Sequence, residues 1–119
     1  MIELIETGST KVIAMKISGK IGKTDMEKMI QEVKEKLSQN EKLGIYVELE
    51  SFDGISFDAL IQDLAFGLSH IRRFHKKAVV AGKDWMEKIA RISDRLFPGM
   101  EIRYFPCAQK EEALAWVKE

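Results

Sequence analysis

The stretch Leu43–Phe74 constrains this chain most, because three kinds of local signal succeed one another without a gap. GIYVELE (44–50) is rich in β-branched and aromatic residues and reads as a buried strand. Ser51-Phe52-Asp53-Gly54-Ile55 is turn chemistry, and Ser56 is a good N-cap for a helix. From about Phe57 to Phe74, apolar residues recur at helical spacing: Phe57, Leu60, Ile61, Leu64, Leu68 and Ile71. Phe66 lies about half a turn from that seam at ~100° per residue, so with Ala59 and His70 it is expected on the solvent face. A strand running straight into a long amphipathic helix is half of a βαβ unit, which implies a parallel sheet.

The rest of the chain supplies compatible pieces. Ile2, Leu4 and Ile5 suggest a short first strand, and Thr7-Gly8-Ser9-Thr10 a turn. KVIAMKIS (11–18) alternates, with Val12 and Ala14 facing opposite to Ile13, Met15 and Ile17, and its short link to the first strand predicts an antiparallel hairpin. Thr24 with Glu27 resembles a capping box that opens a helix carrying Met26, Met29, Ile30, Val33 and Leu37. That helix is expected to end near Ser38-Gln39-Asn40. KAVVA (77–81) is a short buried strand. Asp84 can cap a helix from about Trp85 to Phe97 whose apolar stripe is unusually wide, and Pro98-Gly99 stops it. EIRYF (101–105) is the last strand, and Ala108–Lys118 a final helix. The predicted order is ββαβαβαβα, a single α/β domain over residues 1–119 with a mixed, mostly parallel five-stranded sheet covered by about four helices.

Composition narrows the function classes. Nineteen basic and nineteen acidic residues balance, so there is no global attraction to nucleic acid, and none is expected as a partner. The lone Cys107 rules out an intramolecular disulfide and points to a reducing compartment. Glu3 and Glu6 stand where a secretory signal carries basic residues, and no window approaches the ~18 apolar residues of a membrane span, so a cytoplasmic location is expected.

Chemistry-bearing patterns are sparse. His70, His75 and Cys107 have no zinc-ligand spacing, and no metal or cofactor is expected. Gly19-Lys20-Ile21-Gly22-Lys23-Thr24 imitates the tail of a phosphate loop, but the pattern needs glycine at 17, where Ile17 stands. Glu48, Glu50, Asp53, Asp58 and Asp63 gather around the central turn. Acid–base work or Mg²⁺ binding would use such a group, while turn formation and helix capping account for most of the positions. No enzymatic activity is expected. Arg72, Arg73, Lys76 and Lys77, with Phe66 and His70, form a basic, partly aromatic segment. It reads either as a helix C-terminus favoured by the macrodipole or as a docking surface for a membrane or a partner.

Several segments together resemble the SpoIIAA-like proteins, small stand-alone relatives of the STAS domain. They are Phe52-Asp53-Gly54, Asp63-Leu64-Ala65-Phe66-Gly67-Leu68, Ala78-Val79-Val80 with Lys83-Asp84-Trp85 after it, Arg103-Tyr104-Phe105 and Glu112-Ala113-Leu114-Ala115-Trp116. The resemblance spans essentially the whole chain. It implies a SpoIIAA/STAS-like fold, similar also to the lipid-carrying Sec14 domains, and a non-enzymatic carrier or sensor of a non-polar ligand with transient membrane association. On that view Phe57, Leu60, Leu64, Trp85, Met86, Ile89 and Phe97 would line an apolar cavity under a lid of the second and third helices. The alternative it implies is a STAS-type interaction module for a regulatory protein, as in anti-sigma-factor antagonists. Those proteins carry a phosphorylatable serine in an Asp-Ser-Ser-Gly-like turn at a helix start. Here the region reads Gly54-Ile55-Ser56-Phe57-Asp58, so Ser56 is the candidate phosphosite and the pattern itself is missing. A homodimer is compatible with either reading.

Overall fold

The computed structural model describes residues 1–51, 53–56, 58–59, 61–62, 66, 73–82 and 101–119. Its frame is a five-stranded sheet made of β1 (Ile2–Ile5), β2 (Val12–Ile17), β4 (Leu43–Leu49), β6 (Phe74–Ala81) and β7 (Glu101–Phe105). The spatial order is β1-β2-β4-β6-β7. β1 pairs antiparallel with β2, as a tight hairpin must, and every other neighbour in this sheet is parallel. This is the mixed, mostly parallel sheet expected from sequence. A second, two-stranded parallel sheet joins β3 (Lys20–Ile21) to β5 (Gly54–Ile55) and was not expected. Two residues carry no periodicity, so such a pair is visible only once the chain has folded.

Two of the four expected helices are seen among the described residues: α1 (Lys23–Gln39) and the C-terminal helix (Lys110–Lys118). Asp58, Ala59, Ile61, Gln62 and Phe66 have helical backbone where the second was expected. The third, from Trp85 to Phe97, lies outside the described residues. Among the described residues no helix is long and apolar enough to cross a membrane.

Two boundaries differ from expectation, each for a physical reason. β6 begins at Phe74, not at Lys77, because Phe74 and Lys76 already pair with Leu43 and Gly44 across a local irregularity. Charged residues at 76 and 77 hide that strand in the sequence. The Phe74–Lys77 part of the basic segment is therefore strand, not the end of a helix. α1 begins earlier than the Thr24 cap implies, with Gly22 as N-cap. Asp25 supplies the capping carboxylate: it accepts from the Gly22 N–H at 2.9 Å and the Ile2 N–H at 3.2 Å, tying helix start to first strand.

The sheet is covered on both faces. On one face Val12, Ala14, Tyr46, Ala78 and Val80 pack against Ala113, Trp116 and Val117 of the C-terminal helix. On the other, Ile13, Met15, Leu43 and Val47 pack against Val33 and Leu37 of α1. Burying each Val, Leu, Ile or Met among these contributes roughly 1.5–3 kcal/mol, which explains why central strands here are near-continuous apolar runs. Gly44 sits under the C-terminal helix so tightly that a Cβ there would lie 2.8 Å from the Val117 carbonyl oxygen and 2.9 Å from its Cγ2. Trp116 fixes the helix laterally, with its ring 6.1 Å from Phe105 and the Lys76 Nζ and Arg103 Cζ at 5.0 and 4.9 Å. Lys118 adds a bond to the Thr7 carbonyl at 3.1 Å, reaching the β1–β2 turn.

This packing makes two measurements informative. Gly44→Ala is expected to lower stability by about 1–3 kcal/mol, read as a fall in the urea midpoint, because helix or strand must shift to admit one methyl. The second concerns Asp25, whose carboxyl is held below the ordinary carboxylate range chiefly by the Gly22 N–H, with the Ile2 N–H assisting. A depressed folded-state value means the unfolded chain binds the extra proton, so this contribution is present above the unfolded value of about 3.9 and lost as pH falls below it. Acid titration of thermal stability should therefore show a shallower loss below about pH 4 in Asp25→Asn than in the parent chain.

Candidate functional site

Open α/β sheets bind ligands and partners at the carboxyl ends of their parallel strands. Here that edge is built by two loops, one after β2 (residues 18–22) and one after β4 (residues 50–56). They are laced together by backbone bonds from the Glu50 N–H to the Ile17 carbonyl (3.0 Å), from Asp53 to Gly19 (2.9 Å) and from Ser56 to Ile21 (2.9 Å). The Ser51 hydroxyl accepts the Gly19 N–H at 2.9 Å, and the β3–β5 pair completes the lacing. Gly19 and Gly54 have φ of +64° and +124°, values that side chains rarely allow, so glycine is what lets both loops bend into pairing. The turn expected from sequence is braced by these bonds.

Ser56 stands where this turn passes into helical backbone. Its Oγ accepts the Ala59 N–H at 3.2 Å, the bond an N-cap makes. Asp53 and Asp58 flank it and are exposed. The acidic group expected to gather around the turn divides instead. Glu48 accepts a bond from the Tyr46 hydroxyl at 2.7 Å and pairs with Lys110 at 3.7 Å, while Glu50 pairs with Lys16 at 3.1 Å. Burial, and after it the Glu48 bond, pushes the Tyr46 phenol well above its usual range. The Lys16 ammonium is raised by its bond to Glu50. These pairings fasten β4 to β2 and to the start of the C-terminal helix. Asp63 lies outside the described residues.

The basic segment is likewise dispersed. The Arg73 guanidinium donates to the carbonyls of Leu37 (2.8 Å), Asn40 (2.9 Å) and Glu41 (3.1 Å), closing the C-terminal end of α1. Lys76 lies beneath the C-terminal helix, over the Trp116 ring and bonded to the Trp116 carbonyl at 3.4 Å. Phe66, expected to face solvent, is half-buried and packs against the opposite sheet face with Leu43, Leu37 and Val33. Phe66 and Lys76 thus lie on opposite faces of the sheet; Lys77 is half-buried, and His70 and Arg72 lie outside the described residues.

Among the described residues of the helical segment after Ser56, Ala59 and Ile61 also lie contrary to expectation. Ala59, assigned with Phe66 to the outer stripe, is fully buried against Ile21 and Met26. Ile61, assigned to the inner seam, is 50% exposed. Small Ala59 can approach the β3 and α1 side chains closely. The expected ligand-lining residues Phe57, Leu60, Leu64, Trp85, Met86, Ile89 and Phe97 lie outside the described residues. His75 is half-buried and Cys107 exposed, and among the described residues no group of three His, Cys, Asp or Glu is placed to hold a metal.

The architecture has close counterparts among solved structures. A protein with a SpoIIAA-like fold from Shewanella loihica PV-4, described as uncharacterised, is 25% identical, with a TM-score of 0.76 over 98% of this chain and 92% of that one. The anti-sigma factor antagonist SpoIIAA in its unphosphorylated form is 12% identical, with a TM-score of 0.61 over 99% of this chain and 98% of that one, a likeness of fold alone. Among curated proteins none matches this chain in sequence. The family model for SpoIIAA-like proteins matches residues 12–118, from the second strand to the last turn of the C-terminal helix. The chain belongs to the SpoIIAA-like family.

Proposed function

We propose that this protein is a non-enzymatic interaction module that docks a regulatory protein on the edge carrying the Ser51–Ser56 turn. The observation that carries this reading is the braced turn itself. Its backbone is held by bonds to the loop after β2, while Asp53, Asp58 and Ile61 project outward. A rigid, acidic edge with one exposed branched aliphatic side chain suits recognition of a protein surface, since little ordering entropy is lost on contact. Of the carboxylates that acid–base chemistry would use, Glu48 is engaged with Tyr46 and Lys110, and Glu50 with Lys16. Kinship with an anti-sigma factor antagonist fold adds support. A cytoplasmic setting and action as one domain over residues 1–119 accord with this role.

The Ser56 hydroxyl serves as a helix cap in this reading rather than as a phosphorylation switch. An Asp-Ser-Ser-Gly-like turn is absent, and the hydroxyl oxygen accepts the Ala59 N–H as an N-cap does. A second reading, carriage of a non-polar ligand with transient membrane contact, is favoured by the half-exposed Ile61 on an otherwise apolar seam. It assigns Phe57, Leu60, Leu64, Trp85, Met86, Ile89 and Phe97 to the ligand.

Affinity capture with the intact chain separates these possibilities. The parent protein should retain a partner at stoichiometric level, and Asp53→Lys and Ile61→Asp should release it while shifting stability by no more than about 0.5 kcal/mol, as exposed substitutions do. Retention by both variants would overturn the docking edge. Ser56→Ala should cost about 1 kcal/mol in urea unfolding, through loss of the cap, and Ser56→Asp should restore most of it. Partner binding should be the same for both Ser56 variants; a difference in capture between them would reinstate the switch. For the carrier reading, native mass spectrometry of the purified protein should show added mass extractable into organic solvent, together with co-flotation on anionic liposomes. Protein of bare chain mass that stays off the liposomes would sink it.

A further inference from the structure

We draw no further inference here: the strongest candidate, the buried Tyr104 hydroxyl and Gln62 Oε1 on the sheet side away from the C-terminal helix, carries nothing because nothing in the structure shows what covers these two atoms.

Discussion

The approach of the C-terminal helix to the backbone of β4 at Gly44 is the constraint on which the rest of this molecule depends. A side chain at 44 would meet Val117 at under 3 Å, so glycine sets how closely the helix lies on the sheet. That spacing lets Ala113 and Val117 reach the Val12, Ala14 and Ala78 rows, and it sets Trp116 among Phe105, Lys76 and Arg103. Small residues in these rows are not weak packing. They are what allows a nine-residue helix to cover the middle of a five-stranded sheet.

Covering one face this way leaves the other to α1, and both faces of β2 and β4 are consequently dry at their centres. Polar groups in such a frame must be satisfied near the ends of strands and helices. Arg73 does this for carbonyls at the C-terminal end of α1, Asp25 for the amides of its N-cap Gly22 and of Ile2, and the Glu48 side chain for the Tyr46 hydroxyl. Charged residues that look like a surface patch in one dimension are thereby committed to separate structural tasks. Among the described residues, the braced turn with Asp53 and Asp58, and Ile61 beyond it, face outward at the carboxyl end of the sheet.

Bracing matters for recognition. A loop held only by its ends samples many conformations and loses that freedom on binding, whereas the β3–β5 pair and the Ser51–Gly19 bond commit this turn before any partner arrives. The same bonds position Ser56 to cap the adjoining helical segment, joining the turn to the helix start.

Much of this was legible in the residues. Strands β1, β2, β4 and β7, the helices at 23–39 and 110–118, and the antiparallel hairpin were all read from period and turn chemistry, because two-sided burial selects continuous apolar runs and one-sided burial selects a seam. Ser56 as a cap was legible too, since capping is a local bond. Pairing was not: β3 and β5 are too short to carry a pattern, and the first residues of β6 are disguised by lysines whose charges are answered by distant groups such as Glu119. The burial of Ala59 and Phe66 was hidden for the same kind of reason: both lie off the local apolar seam, yet they pack against β3, α1 and β4. The residues alone were enough for the five strands of the main sheet and the helices at 23–39 and 110–118, because those depend on interactions among near neighbours. Only tertiary structure decided the β3–β5 pair, where Ala59 and Phe66 pack, which charges are committed and how the turn is braced, because each of these rests on contacts between residues far apart in the chain.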